Sequence, residues 1–599
     1  MPLYPPRDKV DRQNTWNSES VFVNEAAWEA ELRSVLAGIA DVQRFQGRLG
    51  ESAAVLLQAL TARDQLWVRA QRVYMYAGFA QAVDTTNQQS AGMHSQAGSM
   101  FGQVAAALAF FAPELIDVGH DKLRQWMQQD VRLAVYAHSL DDLFRRRAHV
   151  RSAEVEELLG MLADPFDGPA GTASMLTNAD LRFAPATTSS AKKLEVTQSS
   201  LPRLLHLPDR AARQSAWNNY MDRHLEFKNT LASNLVTSIK ASVVRSRARR
   251  HESSLAASLF DSNIPVEVFH SLLDTFQRHL PIWHRYFELR RKALRLRSLA
   301  YYDLWAPLAP RKVKITFEQA VELIAEGLAP LGLDYTAALR RGCLEQRWID
   351  WIPNKGKASG AFSYGAPGTH PFILMSFSHD VSSLSTLAHE LGHSMHSYLT
   401  WKHQPLVYTD YSLFVAEVSS NFHQAMVRAH LLKTSTDRSL LIAVIEEAMD
   451  NFLRYFLQMP LLARFELEAH RRVEAAGSLT ADDMSNLLAD LFAEGLGPAA
   501  KIDRPRVGMV WSTFGHLFAD YYVYQYATGI SGAHALADRI LKGDKGAADD
   551  YLGFLRAGAS AYPLEVLRQA GVDLASPQPV EQTFAIMEEY IHRLEKLLA

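Results

Sequence analysis

The chain has 599 residues, of which 48% are hydrophobic and 21% charged, and its formal net charge is −3. A chain of this length exceeds what one hydrophobic core supports, so two or more lobes are expected. The small net charge speaks against nucleic acid or another polyanion as a partner. The start of the chain lacks the apolar run of a signal peptide, and no uninterrupted apolar run approaches the ~20 residues of a membrane span.

A single cysteine, Cys343, cannot form an internal disulfide and is expected to be a packing residue. Together with the missing signal and membrane segments, this favours the cytoplasm and no membrane partner. Composition leaves the oligomeric state open between a monomer and a homodimer.

The first 200 residues have the periodicity of a helical scaffold. Apolar spacing predicts long amphipathic helices over 26–39, 53–76 and 86–111. Turn-forming residues between Pro165 and Thr172 predict a break, followed by short strands at 181–183 and 194–197. We therefore expect an N-terminal helical domain over 1–200 and a second domain over 201–599.

The most informative motif is His-Glu-x-x-His at His389, Glu390 and His393. Two histidines four residues apart lie on one face of a helix, where one Zn²⁺ can take both nitrogens at ~2.0–2.1 Å. Glu390 lies beside the first and can reach a water on the open side of the metal. Zinc lowers the pKa of such a water to roughly 7, so a carboxylate can remove its proton. Asp380 or Ser382 is expected to cap this helix.

The third ligand is sought on a second helix, which Ser412 can cap. Glu417 stands there between apolar neighbours, and a carboxylate in such surroundings favours a nearby cation. Two histidines and a glutamate with one open position form a catalytic zinc set, so one Zn²⁺ per chain is expected. The set alone would also accept cobalt or manganese. Asn421 could orient a ligand histidine, weakly because it carries no charge.

A glycine-rich stretch precedes the His-Glu-x-x-His motif. Residues 371–377, between that stretch and the motif, have the composition of a strand. A strand beside a catalytic helix can bind an extended peptide by adding it as a further strand. The alternative is a buried strand whose glycines only form turns.

Four tyrosines and a histidine crowd the run from Trp511 to Ile530. As pure core, this run would bury several hydroxyl groups that each need a partner. Peptide hydrolysis needs a donor to the oxyanion of the tetrahedral intermediate, and a tyrosine hydroxyl facing the metal would serve.

In order and spacing, these stretches resemble the oligoendopeptidase F family of thimet-oligopeptidase-like zinc metallopeptidases. The resemblance implies a mainly α, two-lobed, zincin-type peptidase with a small β-sheet beside the active-site helix. It also implies a deep substrate channel that admits oligopeptides and excludes folded proteins. Besides the zinc motif, the matching segments are Asp-Arg-Ala-Ala-Arg at 209–213, Tyr-Asp-Leu-Trp-Ala-Pro at 302–307, Lys-Ala-Ser-Gly-Ala-Phe-Ser at 357–363, Val-Ala-Glu-Val at 415–418, Tyr-Val-Tyr-Gln-Tyr-Ala-Thr-Gly at 522–529 and Pro-Leu-Glu-Val-Leu at 563–567.

The resemblance also assigns further site residues. Tyr524 is the implied donor to the oxyanion, and His516 is a second donor. Tyr521 is assigned to the substrate without a defined role, because the Gly-rich loop of the thimet branch is shorter here. The implied contacts to the substrate backbone come from Gly360, Ala361, Phe362 and Ser363.

The predicted function is a zinc metalloendopeptidase of short peptides, in which Glu390 takes a proton from water and passes it to the leaving amine. The nearest alternative is a dipeptidyl or metal-dependent carboxypeptidase with the same zinc set. It would need a cation for the substrate's terminal carboxylate, for which Arg504 and Arg506 are candidates.

Two further alternatives belong to other classes. A di-iron protein would pair Glu390 and His393 with Glu589 and His592, since both pairs have the Glu-x-x-His spacing. The family resemblance would then have no explanation. A peptide-binding protein without catalysis is disfavoured, because every residue type that hydrolysis requires is present.

Overall fold

The computed structural model describes residues 4–309 and 313–599, and helices account for most of them. The mainly α fold class is therefore confirmed. Within the described residues the chain divides into two compact units, each assembled from three segments. The first unit comprises Met1–Ala148, Lys314–His430 and Leu536–Gly571, and the second comprises His149–Val313, Leu431–Ala535 and Val572–Ala599. Both units contain residues from either side of position 200, and a domain boundary there stays a prediction.

The first unit contains a bundle of long helices and a small sheet. The helices that begin in it are Glu25–Gln43, Ala53–Val83, Gln88–Leu108, Phe111–Val118, His120–Gln129, Val131–Ala134, Ala137–Arg146, Phe317–Gly327, Leu333–Leu344, Val381–His403, Leu413–Thr434, Ala547–Ala557 and Pro563–Gln569.

The second unit is helical apart from one short strand pair. The helices that begin in it are Ala153–Met161, Ala163–Met175, Leu201–Leu205, Arg210–Glu226, Lys228–Ala248, Ser254–Phe260, Val266–Arg278, Leu280–Ala293, Arg438–Phe452, Met459–Glu474, Ala481–Leu496, Arg504–Gly508, Tyr524–Leu541 and Gln578–Leu598. Single turns of 3₁₀ or π helix join many elements of both units, among them Leu176–Asp180, Leu453–Gln458, Met509–Thr513 and Gly515–Phe518.

The three predicted N-terminal helices form, with ends shifted by a few residues. The stretch Gln88–Val118 is long and apolar enough to cross a membrane by length and composition, with a mean hydropathy of 1.4. In the structure its side chains Met93, Ala97, Met100 and Val104 recur every three or four residues and lie in the hydrophobic core of this helical bundle. A core helix passes the same composition test, so one such stretch is weak evidence for a membrane span.

The predicted break between Pro165 and Thr172 is wrong, because the helix Ala163–Met175 runs through it. Pro165 stands in the first turn, where its missing N–H removes no intrahelical bond, and the helix accommodates Pro169 in its interior. The strand predicted at 181–183 is absent from the described residues. The strands that form are Ala186–Thr187 and Lys193–Leu194, paired antiparallel.

The sheet of the first unit has three short strands in the order Ile349–Asp350, Phe372–Leu374, Phe362–Tyr364. The first pair is parallel and the second antiparallel. Asp350 is fully buried and anchors the sheet, since its carboxylate binds Arg7 at 2.5 Å and Lys357 at 2.7 Å. The outer strand, Phe362–Tyr364, leaves one edge of the sheet open.

Candidate active site

The helix Val381–His403, here called the motif helix, carries both histidines of the motif. Asp380 caps it as expected, because its Oδ1 accepts the backbone N–H of Ser383 at 2.9 Å. The rings of His389 and His393 have centroids 4.9 Å apart and planes at 84°. The four-residue spacing thus presents both imidazoles on one face of the helix.

The helix Leu413–Thr434, here called the carboxylate helix, carries Glu417. Ser412 begins it as expected, since its hydroxyl accepts a backbone N–H of the first turn at 3.1 Å. Oε2 of Glu417 lies 3.5 Å from Nε2 of His389 and 4.0 Å from Nε2 of His393. The structure therefore brings the three predicted ligands together.

Gly392 allows the two helices to approach this closely. A Cβ atom there would lie 2.5 Å from the carbonyl oxygen of Ser419 and 2.6 Å from Cα of Ser420. Real Cβ atoms essentially never approach backbone so closely, so a side chain at this position would push the helices apart. The glycine inside the motif thereby sets the distance between the histidines and Glu417.

Among the described residues, His389, His393 and Glu417 form the one group whose three ligand atoms lie within 4.8 Å of one another. Ligand atoms ~2.1 Å from a tetrahedral ion are about 3.4 Å apart, close to the observed separations. The side chains of the three residues are 16%, 18% and 20% exposed. Solvent therefore reaches the group, and a metal held there would keep an open position.

The protonation states also suit a metal. Burial lowers the pKa of His393 to about 4, so its imidazole is neutral near pH 7. Burial raises the pKa of Glu417, but His389, His393 and the Ser420 hydroxyl outweigh this, and the pKa lies below its usual value. A neutral imidazole and an ionised carboxylate are the forms that coordinate a cation.

Glu390 is buried beside this group, and its Oε2 has no hydrogen-bond partner in the described structure. Burial raises the pKa of Glu390 to about 7, with an opposing effect from His389 and a further increase from Glu417. A carboxyl group with a pKa near the working pH is suited to accept a proton and return it. The unpaired oxygen is the atom available to a water molecule.

Gln424 is a site residue that the sequence analysis missed. Its Oε1 lies 3.2 Å from Nδ1 of His389, and its Nε2 donates to the Ser385 hydroxyl at 2.7 Å. The expectation that Asn421 orients a ligand histidine is not met, since its Oδ1, the acceptor for such a contact, has no hydrogen-bond partner in the described structure, and its Nδ2 donates to the backbone carbonyl of Glu417 at 2.8 Å. The position of Gln424, two turns after Glu417 on the same helix face, was the available signal.

The predicted substrate-binding segment, Gly360 to Ser363, runs into the outer strand Phe362–Tyr364. Ala361, Phe362 and Ser363 are half-buried, and the strand packs beside the motif helix. The expected strand at 371–377 forms over Phe372–Leu374 and is the middle strand of the sheet. An open sheet edge beside the helix of the candidate metal ligands is thus present, as strand addition of a peptide requires.

His516 belongs to the second compact unit and is described within it. Its side chain is exposed, and its ring lies 5.5 Å from that of Tyr522 and 5.8 Å from that of Tyr526, measured between centroids. The hydroxyls of these two tyrosines are 3.4 Å apart. The structure therefore groups His516 with Tyr522 and Tyr526, a pairing that the sequence analysis did not predict.

Tyr521 and Tyr524 also belong to the second unit, and each is only 1% exposed. Both rings contact Phe269, at 5.6 Å and 5.2 Å between centroids. The Tyr521 hydroxyl lies 3.4 Å from Oγ of Ser254, and its backbone N–H donates to Glu466 at 2.7 Å. Both rings thus lie in the interior of the second unit, and the predicted roles of the two residues at the substrate stay predictions.

Comparison with known proteins shows the family of the chain. Residues 203–586 match the model described as peptidase family M3, and residues 114–183 match the one described as oligopeptidase F. The chain belongs to peptidase family M3. The resemblance inferred from the sequence motifs is thereby confirmed, and this M3 peptidase is a metallo-oligopeptidase.

The similarity to relatives of known name extends over nearly the whole chain. Oligopeptidase PepF of Bacillus subtilis is 37% identical over 99% of this chain and 88% of the relative. Group B oligopeptidase PepB of Streptococcus agalactiae is 32% identical over 99% and 98% of the two chains. The crystal structure of oligoendopeptidase-F from Enterococcus faecium matches with a TM-score of 0.75 and 29% identity, over 96% of this chain and 99% of that one.

Proposed function

We propose that this M3 peptidase is a zinc-dependent endopeptidase of short peptides, with one Zn²⁺ per chain held by His389, His393 and Glu417. The observation that carries the proposal is the three-ligand group with the buried carboxylate of Glu390 beside it. When bound, zinc would polarise the scissile carbonyl and acidify a water to a pKa of roughly 7.

The residues of the chain supply the proton transfers. Glu390 accepts a proton from the attacking water through its unpaired oxygen, and its pKa of about 7 suits both halves of the transfer. It then gives the proton to the leaving amine. The open edge of the strand Phe362–Tyr364 supports binding of the peptide in an extended form, with Gly360 to Ser363 as the contact segment.

Donors to the oxyanion complete the proposal. His516 and Tyr524 are assigned this role, and Tyr521 a place near the substrate, on the family resemblance. The exposed ring of His516 supports its part, since its nitrogens are accessible to a bound peptide.

An exopeptidase with the same metal set is less well supported. Arg504 pairs with Asp490 at 2.8 Å, and Arg506 pairs with Asp222 at 2.8 Å. Both candidate cations for a terminal carboxylate thus already have anionic partners. The di-iron alternative fails on Glu589, which is exposed and outside the one metal-binding group found in the described residues.

The setting of the enzyme is part of the same proposal. Short peptides are its partners, and neither nucleic acid nor a membrane is one. The cytoplasm is the proposed location, which the buried free thiol of Cys343 suits because it needs no oxidising compartment.

The test compares an internally quenched peptide blocked at both ends with the same peptide carrying free ends. Zinc is stripped with a chelator and then restored in measured amounts. We expect both peptides to be cut, activity to vanish without metal and to return at one zinc per chain. Cleavage of the free-ended peptide alone would favour the exopeptidase, and full activity after chelation would contradict the metal-dependent proposal.

A further inference from the structure

The backbone of the outer strand faces the open edge of the sheet at Ser363. Ile373, in the middle strand, donates its N–H to the carbonyl of Trp348 at 2.8 Å, so its backbone groups point away from the outer strand. The backbone groups of its neighbours Leu374 and Phe372 therefore point towards the outer strand, at their partners Phe362 and Tyr364. Ser363, opposite Ile373, forms the non-hydrogen-bonded pair. Its N–H and C=O consequently point to the edge where a peptide would add.

The side chain of the same residue reaches the motif helix. Successive side chains alternate between the faces of a strand, and that of Ser363 points opposite to those of Phe362 and Tyr364. Its Oγ lies 2.8 Å from Oγ of Ser394. Ser394 is completely buried and follows His393 directly in the chain. One hydrogen bond thus joins the residue that would meet the substrate backbone to the neighbour of a metal-binding histidine.

A second contact holds the strand two residues further on. A Cβ atom on Gly365 would lie 2.4 Å from the ring of Trp401, two turns after Ser394 on the same face of the motif helix. The Trp401 indole is itself fixed, since its N–H donates to the carbonyl of Thr409 at 3.1 Å. The close approach at Gly365 and the hydrogen bond at Ser363 together hold the strand in one position along the helix.

We propose that Ser394 is a positioning residue for peptide hydrolysis, because its hydrogen bond to Ser363 fixes where an extended peptide lies relative to the metal-binding histidines. The ligand class is a peptide recognised through its main chain, which makes binding tolerant of side-chain sequence. The inference rests on the proposed function, since it places the substrate on this strand edge.

The test measures binding separately from cleavage. A fluorescent peptide blocked at both ends is titrated into the zinc-loaded Glu390→Gln variant and into the same variant with Ser394→Ala or Ser363→Ala. Loss of one hydrogen bond is worth about 0.5–1.5 kcal/mol, so a rise in Kd of roughly 2–10-fold is expected for each. The two changes remove the same bond, so together they should weaken binding no more than the stronger single change.

Thr400→Val is the matched control, because Thr400 is a buried hydroxyl of the same helix that donates to the carbonyl of Leu555 at 2.9 Å. It should leave the Kd of the peptide unchanged. In chains with Glu390 intact, Ser394→Ala should also scatter the cleavage position along the peptide. Zinc affinity, measured by competition with a chelating dye, should stay that of the parent.

Unchanged peptide affinity and an unchanged cleavage position in Ser394→Ala would overturn the inference, even if its melting temperature fell. Equal weakening by Thr400→Val would also overturn it, since the effect would then be a general loosening of the helix. If the peptide binds as expected but zinc-loaded wild type never cuts it, the role of Ser394 in placing the bound peptide stands and the proposed endopeptidase activity fails.

Discussion

Nδ1 of His389 lies 3.2 Å from Oε1 of Gln424, so the second nitrogen of this candidate metal ligand meets a neutral amide. The amide is itself oriented, because its Nε2 donates to the Ser385 hydroxyl at 2.7 Å. Oε1 then accepts the Nδ1 proton of the ring, which leaves Nε2 free for the metal. The chain thus fixes the tautomer of His389 without adding a negative charge.

Replacing Gln424 should weaken metal binding without unfolding the protein. In Gln424→Ala the ring of His389 loses its orienting partner, and zinc affinity should fall about 10–100-fold. Gln424→Glu keeps an acceptor at the same place and should retain the affinity. Competition with a chelating dye measures both variants, and an unchanged affinity in Gln424→Ala would show that the contact does not orient the ligand.

Enlarging Gly392 should damage stability and metal binding together. The Cβ of Gly392→Ala would meet backbone atoms of Ser419 and Ser420 at 2.5–2.6 Å, and the cost of such overpacking is about 1–3 kcal/mol. Because the displaced helix carries Glu417, zinc affinity should also fall. The control is Gly102→Ala, since that glycine lies in the helix Gln88–Leu108 with open space around its Cβ position. It should leave zinc affinity unchanged and raise stability slightly. Urea unfolding and dye competition measure the two quantities, and a Gly392→Ala chain with normal values in both would refute the packing argument.

Acid should destabilise the fold through a histidine that plays no part in the site. Burial lowers the pKa of His224 to about 4 from an ordinary value near 6.5, so the folded chain holds it neutral. Its contribution to stability is fully present above pH 6.5 and is lost as the pH falls from about 6.5 to about 4. The loss approaches roughly 3 kcal/mol.

Melting temperature against pH measures this effect. His224→Gln, which has no proton to gain, should show a shallower fall between pH 6.5 and pH 4 than the parent. Its amide can still meet the Ser512 hydroxyl, which lies 3.0 Å from Nδ1 in the parent. Parallel curves for the two proteins would show that His224 does not carry the acid sensitivity.

The parts of the site that follow from helical geometry could be predicted from the sequence. His389 and His393 share a face because of their four-residue spacing, and Glu417 was recognisable as a carboxylate among apolar residues. The spacing of Gln424 from Glu417 showed only that the two residues share a helix face, and its contact with His389 was missed because it depends on how two helices meet at Gly392. The helix through Pro165 and Pro169 was missed because turn-forming residues were read without their place in a helix, and Pro165 stands in the first turn, where no N–H is needed.

The aromatic run shows the same limit. The sequence indicated that several hydroxyls could not all be buried without partners, and the family resemblance implied Tyr524 as the donor. The structure places the rings of Tyr522 and Tyr526 next to His516 and the ring of Tyr524 against Phe269, and the donor role of Tyr524 stays a prediction. Which tyrosine faces outward depends on where the helix Tyr524–Leu541 begins, and a shift of one residue in that start changes the answer.

The most direct test of the account is cleavage of the end-blocked peptide by wild type and by Glu390→Gln at equal zinc content. The amide has nearly the shape of the carboxylate but cannot accept the proton of the attacking water. We expect zinc to be retained at one per chain and kcat/KM to fall by about 10²–10⁴-fold. Cleavage at the wild-type rate by the zinc-loaded variant would contradict the assignment of Glu390 as the base.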